Sequence, residues 1–178
     1  TPERPYLSGI ATFGMAERFG FRGVLDPEVS EGLEFKERVR QGFKAALGQR
    51  VDAIVSLTSV LMKVGEEFTE QARRTKLDRS VLRPLALCRL ARAYAKSRFL
   101  GRPVLPKDLW PAKAIVGWGT DTSIFRERVK HYWGKYPFEF YASTEGGIMG
   151  MQTWRKQGLV FSPYADFLEF ISLNELER

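Results

Sequence analysis

One pattern occurs twice in this chain: a short apolar run passes directly into a helical period. Val51 to Ser56 is such a run, β-branched and suited to a buried strand, and Val60, Leu61, Val64 and Phe68 follow it at helical spacing. Lys113 to Trp118 is a second strand, Thr122 to Trp133 a helix capped by Thr120 or Asp121, and Phe138 to Tyr141 a third strand. Strands that alternate with helices pack as a parallel sheet with helices laid on it. The expected fold class is therefore α/β, a parallel or mixed sheet flanked by helices.

Flanking segments extend this reading. Phe35, Val39 and Phe43 recur every four residues opposite Lys36, Glu37, Arg40 and Lys44, which predicts an amphipathic helix that Gly48 stops. Another helix is expected from Ser80 to Arg98, with Leu87, Leu90, Ala91 and Tyr94 on one stripe and Arg89, Arg92 and Lys96 on a second. Pro84 falls in its first turn, where a missing N–H is tolerated. Beyond Gly147 the helical period is lost, and 148 to 153, 159 to 162 and 167 to 172 read as further strands, some antiparallel. Glycines at 9, 14, 20 and 23 mark the opening as loop and a short helical piece.

Composition bounds the rest. At 178 residues, 44% apolar and 28% charged, the chain has the size and hydrophobicity of one domain, and no run of about 18 apolar residues spans a membrane. A single cysteine, Cys88, allows no internal disulfide, which makes a reducing compartment, the cytoplasm, the expectation. Cys88 lies among Leu85, Leu87 and Leu90 and reads as core. The net charge of +7 is concentrated: between Gln71 and Lys107 eleven cations face Asp78 alone. A solvated helix face explains such a run. Nucleic-acid binding is a weaker alternative, since the aromatics that would stack on bases sit elsewhere. His131, the lone histidine, has no partner at metal spacing and reads as a cation at a helix end. Ser56, Thr58 and Ser59 read as helix caps and not as nucleophiles.

In an open α/β sheet, ligands bind outside the carboxyl ends of the strands, where loops diverge and helix amino termini offer free N–H groups. Two loops qualify. One is Gly117, Trp118, Gly119, Thr120 and Asp121; the other is Ala142, Ser143, Thr144, Glu145, Gly146 and Gly147, after the strand ending in Tyr141. In the second, a hydroxyl stands beside a carboxylate, followed by two glycines that let a ligand approach the backbone. Thr144 has the chemistry to contact a phosphate, Glu145 to hold magnesium, and Tyr141 to lie against a base. A plain polar turn accounts for the same spacing.

The run Phe140-Tyr141-Ala142-Ser143-Thr144-Glu145-Gly146-Gly147 resembles the aromatic, small, Ser/Thr-Glu-Gly signature of the adenylate-forming (ANL) superfamily. Pro111 to Gly119, Tyr132-Trp133-Gly134 and Tyr164 to Phe170 are similar to its auxin-responsive, or Gretchen Hagen, acyl-acid amido synthetase branch. The resemblance covers roughly Val51 to the end. It implies a ligase that activates a carboxylic acid with ATP as acyl-AMP and passes it to an amine or thiol acceptor. It also implies roles: Thr144 and Glu145 catalytic, Glu145 the ligand to Mg, and Tyr141, Ala142, Ser143 and Thr144 on the nucleotide. Gly117, Trp118, Gly119 and Thr120 would line its adenine and ribose side, with Gly147 and Ile148 toward the acyl group. By the same analogy, an anionic acceptor such as coenzyme A would dock on the basic segment. The superfamily's Ser/Thr/Gly-rich phosphate loop, hinge and lysine-bearing small domain have no counterpart in the sequence. The expectation is thus an internal fragment of the large domain, residues 1 to 178, inactive by itself.

Overall fold

The computed structural model describes residues 18, 20–26, 29, 30, 32–74, 84–119, 122–143, 146–164, 167 and 169–176. The elements are α1 (Phe35–Leu47), β1 (Ala53–Leu57), α2 (Thr58–Arg74), α3 (Pro84–Phe99), α4 (Pro106–Leu109), β2 (Ala114–Trp118) and α5 (Thr122–Trp133), then β3 (Phe138–Ser143), β4 (Gly147–Met151), β5 (Val160–Phe161) and α6 (Leu173–Leu176). Most of the glycine-rich opening, residues 80 to 83, and the caps read at Thr120 and Asp121 lie outside the described residues.

Five strands form one mixed sheet in chain order, β1-β2-β3-β4-β5. The first three are parallel, as the strand–helix alternation requires, and β4 and β5 add on antiparallel. A residue pair shared across adjacent strands faces one side of the sheet. Ile54 and Ile115 are such a pair, and both turn toward Leu61 of α2 and Val129 and Trp133 of α5. A second cluster joins Ala46, Ala93, Val104, Leu109 and Trp110 from α1, α3 and α4 and their flanks. Phe43 packs in both: its ring lies 5.7 Å from Phe68, 5.0 Å from Trp110 and 6.3 Å from Trp133. Helices α1 to α5 therefore gather on a single face of the sheet.

The indole N–H groups tie these layers together. Trp110 donates to the Ala46 carbonyl and Trp133 to the Leu61 carbonyl, each at 2.9 Å, so both rings are buried without an unpaired donor. Gly48 ends α1, but in a right-handed conformation with φ −88°, unlike the left-handed glycine that commonly closes a helix. Arg89 of α3 takes over the capping, donating to the carbonyls of Ala46, Leu47 and Gln49.

Three expectations are corrected. Cys88 is exposed, not core. The buried stripe of α3 is Ala86, Leu90, Ala93 and Tyr94, which leaves Leu85, Leu87 and Ala91 outside. Ala86 and Ala93 are almost fully buried, at 1% and 0% exposure, so the core-facing side of α3 is rotated from the one the leucines suggest. Phe167 and residues 169 to 172 form no strand. A ladder needs a neighbour, and among the described residues this stretch pairs with no strand; the Phe170 ring stands against Phe161 at 5.7 Å.

Candidate functional site

Strand register decides which loops meet. Gly117 pairs with Glu139, and the Trp118 and Phe140 rings lie 5.1 Å apart, so β3 runs three residues, about 10 Å, past the last residue of β2. Continuing that register brings Gly119 level with Tyr141. The Trp118–Gly119 bend and the Tyr141 to Ser143 end thus open side by side at the carboxyl ends of parallel strands, the place where open α/β sheets hold ligands.

The two glycines flanking Trp118 differ in kind. Gly117 is buried, and a Cβ there would sit 2.6 Å from Thr58 Oγ1 and 3.2 Å from the Pro137 ring. Its bareness makes room for the Thr58 hydroxyl at the start of α2. Gly119 is exposed with φ +126°, and a Cβ would touch only Leu57 at 3.8 Å, so its backbone conformation calls for glycine. Trp118 is half-buried against Phe140.

Beneath this bend lies a hydroxyl pair that residue spacing did not reveal. Thr58 and Thr122, the first residues of α2 and α5, are both buried, with Oγ1 atoms 3.1 Å apart. Thr122 Oγ1 donates to the Gly119 carbonyl at 2.8 Å, so its lone pairs are free to accept the Thr58 proton. Thr58 also lies 3.3 Å from the Trp118 carbonyl. The pair locks the starts of two helices to the bend. The expectation that Thr58 caps its own helix is corrected: its hydroxyl contact runs across 64 residues to another helix.

On the β3–β4 side, Ser143 pairs with Gly147, and the Gly146 N–H donates to Ser143 Oγ at 2.9 Å. The Ser143 hydroxyl oxygen thus braces its own hairpin. Gly147 has φ +65° with open space where a Cβ would stand. A register shift between Tyr141 and Ala142 re-aims the strand end, as bulges do beside sites. Tyr141 is 52% exposed, with its ring 6.4 Å from Phe161 at a steep angle, and Ile148 is 45% exposed. Ala142 is exposed too. The Tyr141 ring and the Ile148 side chain are thus both accessible. Thr120, Thr144 and Glu145 lie outside the described residues. No group of three or more His, Cys, Asp or Glu suited to a metal occurs among the described residues.

Three cations of the basic segment have structural partners. Arg89 caps α1, while Arg102 forks onto Asp108 at 2.6 and 2.9 Å and Lys96 reaches the same carboxylate at 3.0 Å. Burial alone would raise the Asp108 carboxyl; the Arg102 bonds, the Leu105 N–H and Lys96 outweigh it and hold it well below the usual carboxylate range. His131 is shifted down, by burial first and then by Lys107 and Arg102, which opposes the helix-end cation read from its position. A cavity of about 560 Å³ opens beside α1, lined by Leu25, Glu37, Arg40, Gln41, Lys44 and Ala86 among others, and none of its lining residues belongs to the strand ends. No helix among the described residues is long and apolar enough to cross a membrane.

Compared with family models, with curated proteins and with solved structures, the chain matches none.

Proposed function

We propose that the carboxyl ends of β2 and β3 bind an adenine nucleotide, as the nucleotide-holding part of an adenylate-forming ligase. One observation carries this reading: the glycine-tryptophan-glycine bend and the Tyr141 to Ser143 strand end emerge side by side from adjacent parallel strands. Tyr141, half exposed, offers its ring to adenine. Gly119 offers backbone to the ribose side, and Thr144 and Glu145, next in the sequence after Ser143, are assigned to the phosphates. Magnesium keeps much of its shell as water and substrate phosphate, so the single carboxylate of Glu145 suffices as protein ligand. In the ligase reaction proposed, a substrate carboxylate oxygen bonds to the α-phosphorus while the bond to pyrophosphate breaks. An amine or thiol acceptor then displaces AMP from the acyl-AMP. Three cations of the basic segment, Arg89, Lys96 and Arg102, have structural partners in α1 and Asp108, which supports the solvated-face and packing reading over a nucleic-acid one.

Titration with ATP or AMP, with and without magnesium, followed by tryptophan fluorescence, tests the assignment. The expected result is a saturable response, weakened about tenfold for ATP with magnesium by Glu145→Ala and for both nucleotides by Tyr141→Ala, a loss of roughly 1.4 kcal/mol. A response indifferent to both substitutions, or none at millimolar nucleotide, removes the assignment.

A further inference from the structure

Among the described residues no helix covers the sheet face opposite α1 to α5, and the strand side chains on that face are apolar. Register places Ala53, Val55 and Leu57 of β1 beside Ala114, Val116 and Trp118 of β2, then Phe138 and Phe140 of β3, Met151 of β4 and Val160 of β5. None of these ten side chains is polar. Val55 is 43% exposed, Leu57 41%, and Met151 and Val160 56% each. Antiparallel sheets that face water alternate apolar with polar residues, whereas parallel strands apolar on both faces belong to sheets covered on both. A contiguous apolar surface of this kind marks an interaction site.

Charge at its rim identifies the occupant. The Lys156 ammonium lies on this face, 4.2 Å over the Phe138 ring, and donates to the Tyr136 carbonyl at 2.7 Å. Trp154, 90% exposed, stands edge-on to the same ring at 5.4 Å. Lys135 and Arg126 add positive potential at Lys156, and among the described residues no carboxylate forms an ion pair with it. The nearby Glu127 is already engaged by the Tyr136 hydroxyl at 2.8 Å. A second copy stacked symmetrically on this face would bring these cations toward one another. A helix with an apolar stripe and carboxylates along its flank satisfies both the surface and its charge.

We infer that the open sheet face, from Val55 across Val116 to Val160, docks an acidic amphipathic α-helix of a partner polypeptide, with Lys156 receiving one of its carboxylates. This surface lies on the flat of the sheet and shares Trp118 with the bend at the strand ends, but docking on it does not depend on the nucleotide reading.

The probe is an 18-residue designed peptide with a leucine stripe and glutamate flanks, set against its lysine-flanked twin, each labelled and followed by fluorescence anisotropy with the whole chain. The glutamate peptide is expected to bind at least tenfold tighter than its twin. Val116→Asn and Leu57→Asn are each expected to weaken it about tenfold, and Lys156→Glu to reverse the preference. Circular dichroism confirms that each variant is folded; Val160→Asn at the sheet edge serves where Val116→Asn is not. Equal binding of both peptides, binding indifferent to the face substitutions, or no binding overturns the proposal. Concentration-dependent self-association in sedimentation that Leu57→Asn abolishes also overturns it, in favour of a second copy.

Discussion

Asp108 has no side-chain exposure, yet it keeps its charge because every direction it faces supplies a donor. Removing one member of a buried ion pair leaves the others desolvated and unmatched, which is costlier than the pair is stabilising. Asp108→Asn is therefore expected to lower unfolding free energy by about 3 kcal/mol, measured by urea titration. The pH sign follows from its lowered carboxyl. A depressed folded value stabilises above the unfolded value of about 3.9 and loses that contribution as pH falls through the folded one. Wild type should thus lose stability on acidification below about pH 4 more steeply than the Asn variant. Arg102 and Lys96 stood in the sequence as members of a basic run; the tertiary fold turned them into the walls of one carboxylate's site. Reading charge along the chain located the cations but not their targets, since Asp108 follows the run and Arg89's carbonyl partners lie some 40 residues before it.

Among the elements, α2 and α5 cross most closely at Gly65, where a Cβ would stand 2.7 Å from Tyr132 Cγ and 2.8 Å from its Cβ. Those atoms sit at the root of the side chain and cannot swing away. Gly42 in α1 is the counterexample, because a Cβ there would meet only Leu25 Cδ1 at 3.8 Å, an ordinary contact. Alanine favours a helix interior over glycine by about 1 kcal/mol, while overpacking costs about 1 to 3 kcal/mol. Thermal unfolding should show Gly42→Ala stabilised by about 0.5 to 1 kcal/mol and Gly65→Ala destabilised by about 1 to 2 kcal/mol, the same chemical change with opposite signs. Periodicity found α1, α2 and α5 and the three parallel strands because burial against the sheet selects side chains by their angular position. It placed Leu90 and Tyr94 of α3 rightly but took Leu87 and Ala91 into the buried stripe, where Ala86 and Ala93 meet the core instead. It also read a strand from 167 to 172, because alternation reports which side chains are apolar and not whether a neighbouring strand is there to accept hydrogen bonds.

At the scale of the molecule, stability is uneven. β2 lies between two parallel neighbours and carries the fully buried Ile115, whereas β5 is a two-residue edge strand with Val160 exposed. Native-state hydrogen exchange should therefore find the Ile115 amide opening only with the whole fold. The Ser162 amide, bonded to Met149, should exchange at least about tenfold faster. Equal protection of the two would show the sheet to be one cooperative unit, contrary to this expectation.

The α/β class, the three parallel strands and the two loops that follow β2 and β3 are legible in the sequence by itself, because local periodicity and the short spacing from strand to helix leave few chain paths; which strands are neighbours is not. Tertiary structure alone decided that Gly117 makes room for Thr58, that Thr58 and Thr122 share a buried hydroxyl contact, and that one sheet face is left open. Each of these depends on atoms far apart in the chain approaching within a few ångströms. Hydrophobic pattern records that a side chain leaves water, and only packing determines what it meets.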